Sequence, residues 1–289
     1  MQEFNYHRPV TIAELKEFLS LPGARILAGG TDIVPRMRQG KFSAPILVDT
    51  SGLTAMHFIE DQGSEIVLGA LTTHQEAADS ALLKNVNPAL VTAAESIGCQ
   101  QTRCRGTLGG NIANASPAAD TIPPLLIHDA TLLLQSLAGE RRILLEKFLL
   151  GPGETDQKDG EFIHSISFKP LSGIWGSAFI KVGKRSGMAI SVVNTALAVE
   201  LNDKGKISDI RIALGAVAPT VIRCRKIEQA LLGKEPEQGL MKEIHQAIQT
   251  EISPITDIRS TEDYRDHAAE VIIYRALESA VEQAKERGH

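Results

Sequence analysis

Cysteine is rare in this sequence: Cys99, Cys104 and Cys224 are the only three in 289 residues. An odd, scattered set excludes a disulfide scaffold and points to a reducing compartment. It also falls short of the four thiolates that an iron–sulfur cluster needs. No run approaches the ~20 consecutive apolar residues of a spanning helix. The start, Met1 to Tyr6, lacks the basic and apolar regions of a secretory signal. The expected location is therefore the cytoplasm. Positive charge is in deficit, with a net charge of −5, so there is no electrostatic footprint for nucleic acid. What is present is ordinary: 43% hydrophobic and 22% charged residues, enough for one large globular domain or two smaller ones.

The first helix is well signposted. Thr11 can cap it, Glu14 suits a capping box, and Ile12, Leu15, Phe18 and Leu19 form its apolar stripe. Pro22-Gly23 ends it, and a short strand over 25–28 follows. Strands are expected at 46–48 and 66–68, and helices over 72–83 and 88–97. A β-rich stretch runs through 131–134, 142–145 and 162–168. Pro170 to Gly173 reads as a junction. Beyond it lie apolar runs at 178–182, 190–201 and 207–217, with Asn202-Asp203-Lys204-Gly205 as a hairpin turn. The tail reads as helices at 227–232, 241–252 and about 261–286. Tyr264, Ala268, Val271, Ile272, Leu277, Ala280 and Val281 are expected on one broad face of the last. Helices and strands mix without regular alternation, which gives an α+β class.

Two glycine-rich segments carry the functional signal. In Leu27-Ala28-Gly29-Gly30-Thr31-Asp32, a glycine pair after a strand lets the chain turn and present successive N–H groups to an anion. Thr31 adds a hydroxyl donor. The segment Gly106-Thr107-Leu108-Gly109-Gly110-Asn111 repeats that pattern: a threonine, a glycine pair and a side-chain amide. Ser116 and Asp120 follow, and Asp120 is an acceptor for a ligand hydroxyl or ring N–H. Taken singly, such a pair is most often a structural turn. Together the two suit a ligand with two phosphates and a polyol. Neither has the spacing of a Rossmann or Walker A motif. The residues alone thus reach a non-Rossmann diphosphate site.

The motifs Ala28 to Asp32 and Thr107 to Asn111 resemble the two flavin signatures of the FAD-binding subunits of molybdenum hydroxylases, of the xanthine and carbon monoxide dehydrogenase type. The likeness extends to Ser96-Ile97-Gly98, Gln101-Thr102-Arg103, Ser116-Pro117 with Asp120, Phe179-Ile180-Lys181 with Arg185, Gly215 to Thr220, and Tyr264-Arg265. It covers almost the whole chain. The resemblance implies a two-lobed FAD-binding domain over 1–172, with lobes of about 1–52 and 53–172, then a smaller α+β domain over 173–289. It implies that 28–32 and 107–111 hold the pyrophosphate and sugars, that Asp120 lies along the flavin, that Lys181 lies near the isoalloxazine edge, and that Phe162 and Ile180 pack around it. The FAD would be bound non-covalently. The implied partners are a molybdopterin-binding large subunit and a 2Fe–2S small subunit, with NAD⁺ or another acceptor taking the electrons. No residue of this chain is then required as a catalytic acid or base, and no metal is held by it. Cys104 and Ala189 stand where many relatives carry Asn and Asp.

Other residues read more plainly. His74 is expected to cap a helix or lie on the surface, Trp175 to pack at the domain junction, and Arg103 and Arg105 to form ion pairs or meet the phosphates. His7 is the residue to watch for covalent flavin attachment. A stand-alone flavin oxidase would need titratable groups grouped around a substrate, and no such cluster stands out. A subunit that had lost its flavin would not need both glycine segments.

Overall fold

The computed structural model describes residues 3–185, 187–236 and 239–287. Its first unit is a small parallel sheet. Strands β1 (Asn5–His7), β2 (Ala24–Leu27) and β3 (Ile46–Asp49) pair in the order β1-β3-β2, with helices α1 (Ile12–Leu19) and α2 (Ile33–Arg38) as the crossovers. The opening of the chain is thus a local β-α-β-α-β unit, more regular than its sequence suggests. Thr11 caps α1 by accepting from Glu14 N–H. The Glu14 carboxylate reaches back to Val10 N–H, one residue before the cap.

A five-stranded antiparallel sheet forms the second unit. It contains β4 (Ile59–Asp61), β5 (Ile66–Gly69), β6 (Thr131–Ser136), β7 (Gly139–Leu144) and β10 (Phe162–Phe168), in the order β4-β5-β10-β6-β7. Between β5 and β6 the chain makes six short helices: α3 (His74–Asp79), α4 (Ala81–Val86), α5 (Pro88–Glu95), α6 (Gln100–Arg103), α7 (Leu108–Ala113) and α8 (Ile122–Leu126). The helix expected over 72–83 is in fact two. Ser80 is extended (ψ 116°), and its hydroxyl accepts from Leu83 N–H, starting α4 anew. After β7 come α9 (Leu145–Phe148) and a small hairpin, β8 (Leu149–Gly151) with β9 (Glu154–Thr155).

The C-terminal part is an antiparallel meander of β11 (Trp175–Gly183), β12 (Ser191–Leu201), β13 (Ile207–Gly215) and β14 (Ile222–Arg223). Helices α10 (Arg225–Leu231), α11 (Met241–Ile248) and α12 (Glu262–Arg287) cover one face. On that face Ala178, Val193, Leu197, Val199, Ile212 and Leu214 join the core of the helices. On the other face Phe179, Ala196, Ala198 and Ala213 join the core of the preceding sheet and helices. Burial on both sides explains why these strands are largely apolar without a strict in–out alternation. The turn at Asn202 forms as expected, with its carboxamide oxygen accepting from Lys204 and Lys206 N–H.

The apolar face of α12 differs in part from expectation. Tyr264 is exposed and Val271 only half-buried, while Arg265 and Glu270 are buried. Arg265 takes its place by satisfying the carbonyl oxygens of Val192 and Ala216 and the Asp257 carboxylate. Against the penalty of burial, hydrogen bonds from Arg259 and then from Arg265 hold the Asp257 carboxyl far below the usual carboxylate range. Gly176 lets α12 lie directly on β11. A Cβ there would collide with the carbonyl oxygen of Ala280 and fall 2.7 Å from Ala284 N. Gly176→Ala is expected to destabilise the chain by about 2–3 kcal/mol, as overpacking of a backbone contact does. Urea unfolding should show the midpoint fall; an unchanged midpoint would mean that α12 does not seat on this strand.

Candidate functional site

The two glycine segments meet. Each glycine pair divides its labour between the protein interior and a cleft. A Cβ on Gly29 would overlap the carbonyl oxygen of Arg105 and lie 3.0 Å from the Gly106 Cα. A Cβ on Gly109 would sit 2.7 Å from both Ala70 Cβ and its carbonyl oxygen. These two glycines are required by close backbone packing. The second member of each pair is more open: a Cβ on Gly30 would meet nothing nearer than 3.3 Å, and one on Gly110 meets chiefly the Thr107 hydroxyl. Gly30 adopts φ +73°, the left-handed region that turns the chain out of β2.

The two segments differ in chemistry more than their sequences suggest. Thr107 to Asn111 is not a second N–H cradle but the cap and first turn of α7. Leu108 N–H donates to Thr72 O, Gly109 N–H to Ala70 O, Gly110 N–H to the Thr107 hydroxyl, and Asn111 N–H to Thr107 O. Its donors are spent on the fold. From Gly29 to Ile33, by contrast, no backbone N–H donates to a protein acceptor among the described residues. Five successive N–H groups, joined by the Thr31 hydroxyl, remain for a ligand. Such a run, containing one left-handed residue, forms an anion-binding concavity. The Asp32 carboxylate does not cap α2; it pairs with Arg36 at 3.3 Å. That pairing offsets a negative charge beside the cradle.

A cleft of about 770 Å³ opens along these segments, a volume typical of cofactor sites. Ala28, Gly29, Gly30, Thr31 and Asp32 line one side. Thr107, Gly109, Gly110 and Asn111 line another, and Phe162 lies in its wall. Leu27 ends β2 beneath the first segment, its carbonyl oxygen accepting from the Thr50 hydroxyl at 3.4 Å. Sequence reasoning missed the third wall, formed by the β8–β9 hairpin and residues 157–161. Arg141 pins that strap by donating to Glu161 at 2.7 Å and Asp156 at 2.6 Å; it holds the Glu161 carboxyl below its ordinary range, and Lys158 together with Arg141 does the same for Asp156. The only sequence signal was a cluster of charges between Gly153 and Gly160, which resembles any solvated loop.

Ser116, Asp120, Ile180 and Lys181 are not on the wall of this cleft. Ser116 accepts from Ala118 N–H within its own turn. Asp120 is buried, and its carboxylate accepts from Lys181 Nζ at 2.7 Å, Ser191 Oγ at 2.6 Å and Asn194 Nδ2 at 2.7 Å. Lys181 also donates to Ser96 O at 3.1 Å, and Ile180 packs against the core under α12. This cluster ties the loops before α6 and α8 to strands β11 and β12. Trp175 is buried at the same junction, as its sequence position suggests, with the Arg211 guanidinium 5.7 Å from its ring centre.

One side chain departs from expectation, and two others find partners within the fold. His74 is neither a cap nor a surface residue. Thr73 is the cap, in a full capping box with Glu76, and His74 is buried in the cleft wall. Burial, with the nearby Arg103 charge, pushes its pKa down to about 4. Arg103 makes no ion pair among the described residues; it donates to Gln75 and to the carbonyl oxygens of Glu95 and Ile97. The His7 ring stacks on Phe18, with centroids 4.3 Å apart.

With this geometry established, comparison with known proteins is decisive. Residues 2–170 match the family described as FAD binding domain in molybdopterin dehydrogenase. Residues 178–280 match the CO dehydrogenase flavoprotein C-terminal domain. The xanthine dehydrogenase FAD-binding subunit of Escherichia coli O157:H7 is 31% identical, over 97% of each chain. The glyceraldehyde dehydrogenase medium chain of Sulfolobus acidocaldarius is 30% identical, over 95% of this chain and 97% of its own. Among solved structures, carbon monoxide dehydrogenase from Hydrogenophaga pseudoflava superposes with a TM-score of 0.92 at 29% identity, covering 98% of both chains. The chain belongs to the medium, FAD-binding subunits of the molybdenum hydroxylases, an oxidoreductase family of the xanthine and carbon monoxide dehydrogenase type. No helix among the described residues is long and apolar enough to cross a membrane.

The buried histidines set a pH dependence. His128, packed against Phe168 and bonded to Lys169 O, is also pushed down to about 4 by burial. The unfolded chain binds these protons near the ordinary value of about 6.5. The native state does so only near 4. Stability is therefore full above about 6.5 and falls as pH drops towards 4, by up to ~1.4 kcal/mol per pH unit for each group. Urea midpoints measured between pH 7 and 5 should decline over that window. A rise in stability on acidification would contradict the buried, neutral assignment.

Proposed function

We propose that this chain is the electron-output subunit of a heteromeric molybdenum hydroxylase. On this reading it takes electrons leaving molybdenum and 2Fe–2S centres on a large and a small partner subunit and delivers them through FAD to NAD⁺ or another acceptor. The observation that carries the reading is the run of unpartnered N–H groups from Gly29 to Ile33 at the mouth of a cleft large enough for a dinucleotide. The N–H groups and the Thr31 hydroxyl would hold the pyrophosphate. Gly30 and Gly110 would leave room for its oxygens, and Asn111 and Phe162 would flank the remainder. Asp120, Lys181 and Ile180, at the junction of the sheets, would border the flavin end indirectly, by fixing the loops before α6 and α8 against β11. We assign residues 1–172 to the FAD-binding domain, with lobes of about 1–52 and 53–172, and 173–289 to the C-terminal domain. The three unpaired cysteines suit a cytoplasmic setting.

When bound, FAD supplies the redox chemistry. The protein contributes position: donors fixed by β2, a wall fixed by α7, and a strap fixed by Arg141. No residue of this chain need donate or accept a proton at a substrate carbon, because oxidation of the organic substrate belongs to another subunit. The half-buried His7 stacks against Phe18 outside the cleft wall, which agrees with non-covalent attachment.

The purified chain should be yellow, and acid precipitation should release the chromophore to the supernatant. Colour retained in the pellet would reveal a covalent link. Mixed anaerobically with candidate organic substrates, the metal-free chain should show no flavin bleaching until the molybdenum and iron–sulfur subunits are added. Bleaching by the chain alone would replace this reading with that of a stand-alone oxidase. Gly29→Ala should displace the cradle from Arg105 and lower flavin content several-fold while circular dichroism is retained; full occupancy would show that the backbone contact does not set the site.

A further inference from the structure

His74 lies where the two glycine segments touch. Its backbone N–H donates to Gly106 O at 2.9 Å. Its ring edge packs on Gly106: a Cβ on that glycine would meet Cδ2 at 3.0 Å and Nε2 at 3.3 Å. Gly29 presses against the same glycine and against Arg105. One glycine thus separates the imidazole from the first N–H group of the cradle. The ring is 4% exposed, lines the cleft, and makes no hydrogen bond to any described residue through either nitrogen. Nδ1 is sealed from solvent. A polar side chain so deeply buried normally has a partner, and one without a partner calls for a functional explanation.

We propose that His74 is a cofactor-contacting residue, its Nε2–H donating a hydrogen bond to the pyrophosphate of the bound dinucleotide. This rests on the FAD reading above and adds to it a side chain outside both glycine motifs. The tautomer follows from the surroundings. A neutral imidazole has one N–H and one lone pair. Sealing a lone pair at Nδ1 is cheaper than sealing an N–H, because orphaned buried N–H groups are the rarer and costlier kind. The proton therefore sits on Nε2, the nitrogen at the cleft wall. Because burial keeps the ring neutral, it serves as a donor without adding a second buried cation beside Arg103.

Side-chain length provides the test. A glutamine amide reaches the position of Nε2, whereas an asparagine amide reaches only that of Nδ1. The full chain is stripped of flavin, and affinities for FAD and for ADP are measured for wild type, His74→Gln, His74→Asn and His74→Phe, with apo-form melting as the fold control. Loss of one donor should weaken FAD binding about 10-fold in His74→Phe and His74→Asn, and His74→Gln should recover most of it. ADP, which carries the same diphosphate, should lose affinity by the same factor. Wild-type affinity in the Asn and Phe variants would overturn the contact, and should Phe fail to fold, the Gln–Asn comparison decides alone. A loss for FAD with none for ADP would overturn the pyrophosphate assignment. A wild-type chain that binds no FAD would instead refute the flavin reading itself.

Discussion

The site depends on one backbone contact, between Gly29 and the carbonyl oxygen of Arg105. These residues are far apart in sequence and lie in different sheets' neighbourhoods: Gly29 lies in the turn that follows β2 of the small parallel sheet, and Arg105 precedes the capped helix α7. Without a Cβ in the way, the two backbones close to van der Waals distance. That contact brings the N–H run of residues 29–33 opposite Gly110 and Asn111 and sets the cleft between them. Gly109 does the same for α7 against Ala70, so the second wall is as firmly seated as the first. The glycines next to them can then face a ligand because their partners have already fixed the backbone.

A division of electrostatic duty follows. α7 spends its first-turn donors on Thr72, Ala70 and Thr107, so it contributes shape and no free N–H. The cradle at 29–33 keeps its donors free, and Arg36 balances the Asp32 charge next to it. Charges that would perturb a bound anion are occupied elsewhere: Asp120 by three donors, and Asp156 and Glu161 by Arg141. A buried carboxylate is tolerable only with such company. The Asp120 cluster has a second consequence. It joins the loops before α6 and α8 to the C-terminal meander, so the C-terminal domain helps to hold the loops of the flavin domain.

Helices α1 and α5, the strands of the meander, the turn at Asn202 and the final helix were legible from the sequence, because each has a local cause: a cap, a period or a turn residue. The FAD cofactor was legible too, through the family resemblance that the paired glycine segments carry. The helix break at Ser80 was not legible, since Thr72 to Leu83 has a helical pattern throughout and only the extended Ser80 backbone interrupts it.

What the sequence determined by itself, then, is composition-level chemistry and local structure, which depend on neighbours a few residues away. What only the tertiary structure decided is the use of each polar group, because hydrogen-bond partners are set by long-range contacts. Two segments that look alike in sequence became unlike, one with its N–H groups free and one with them consumed. Asp120, read as a ligand acceptor, became the hub of an interdomain cluster once Lys181, Ser191 and Asn194 converged on it. His74, read as a capping or surface residue because it opens a helix, became buried because that helix starts against Gly106. In each case the residue type was visible beforehand, and its partner lay too far along the chain to be read.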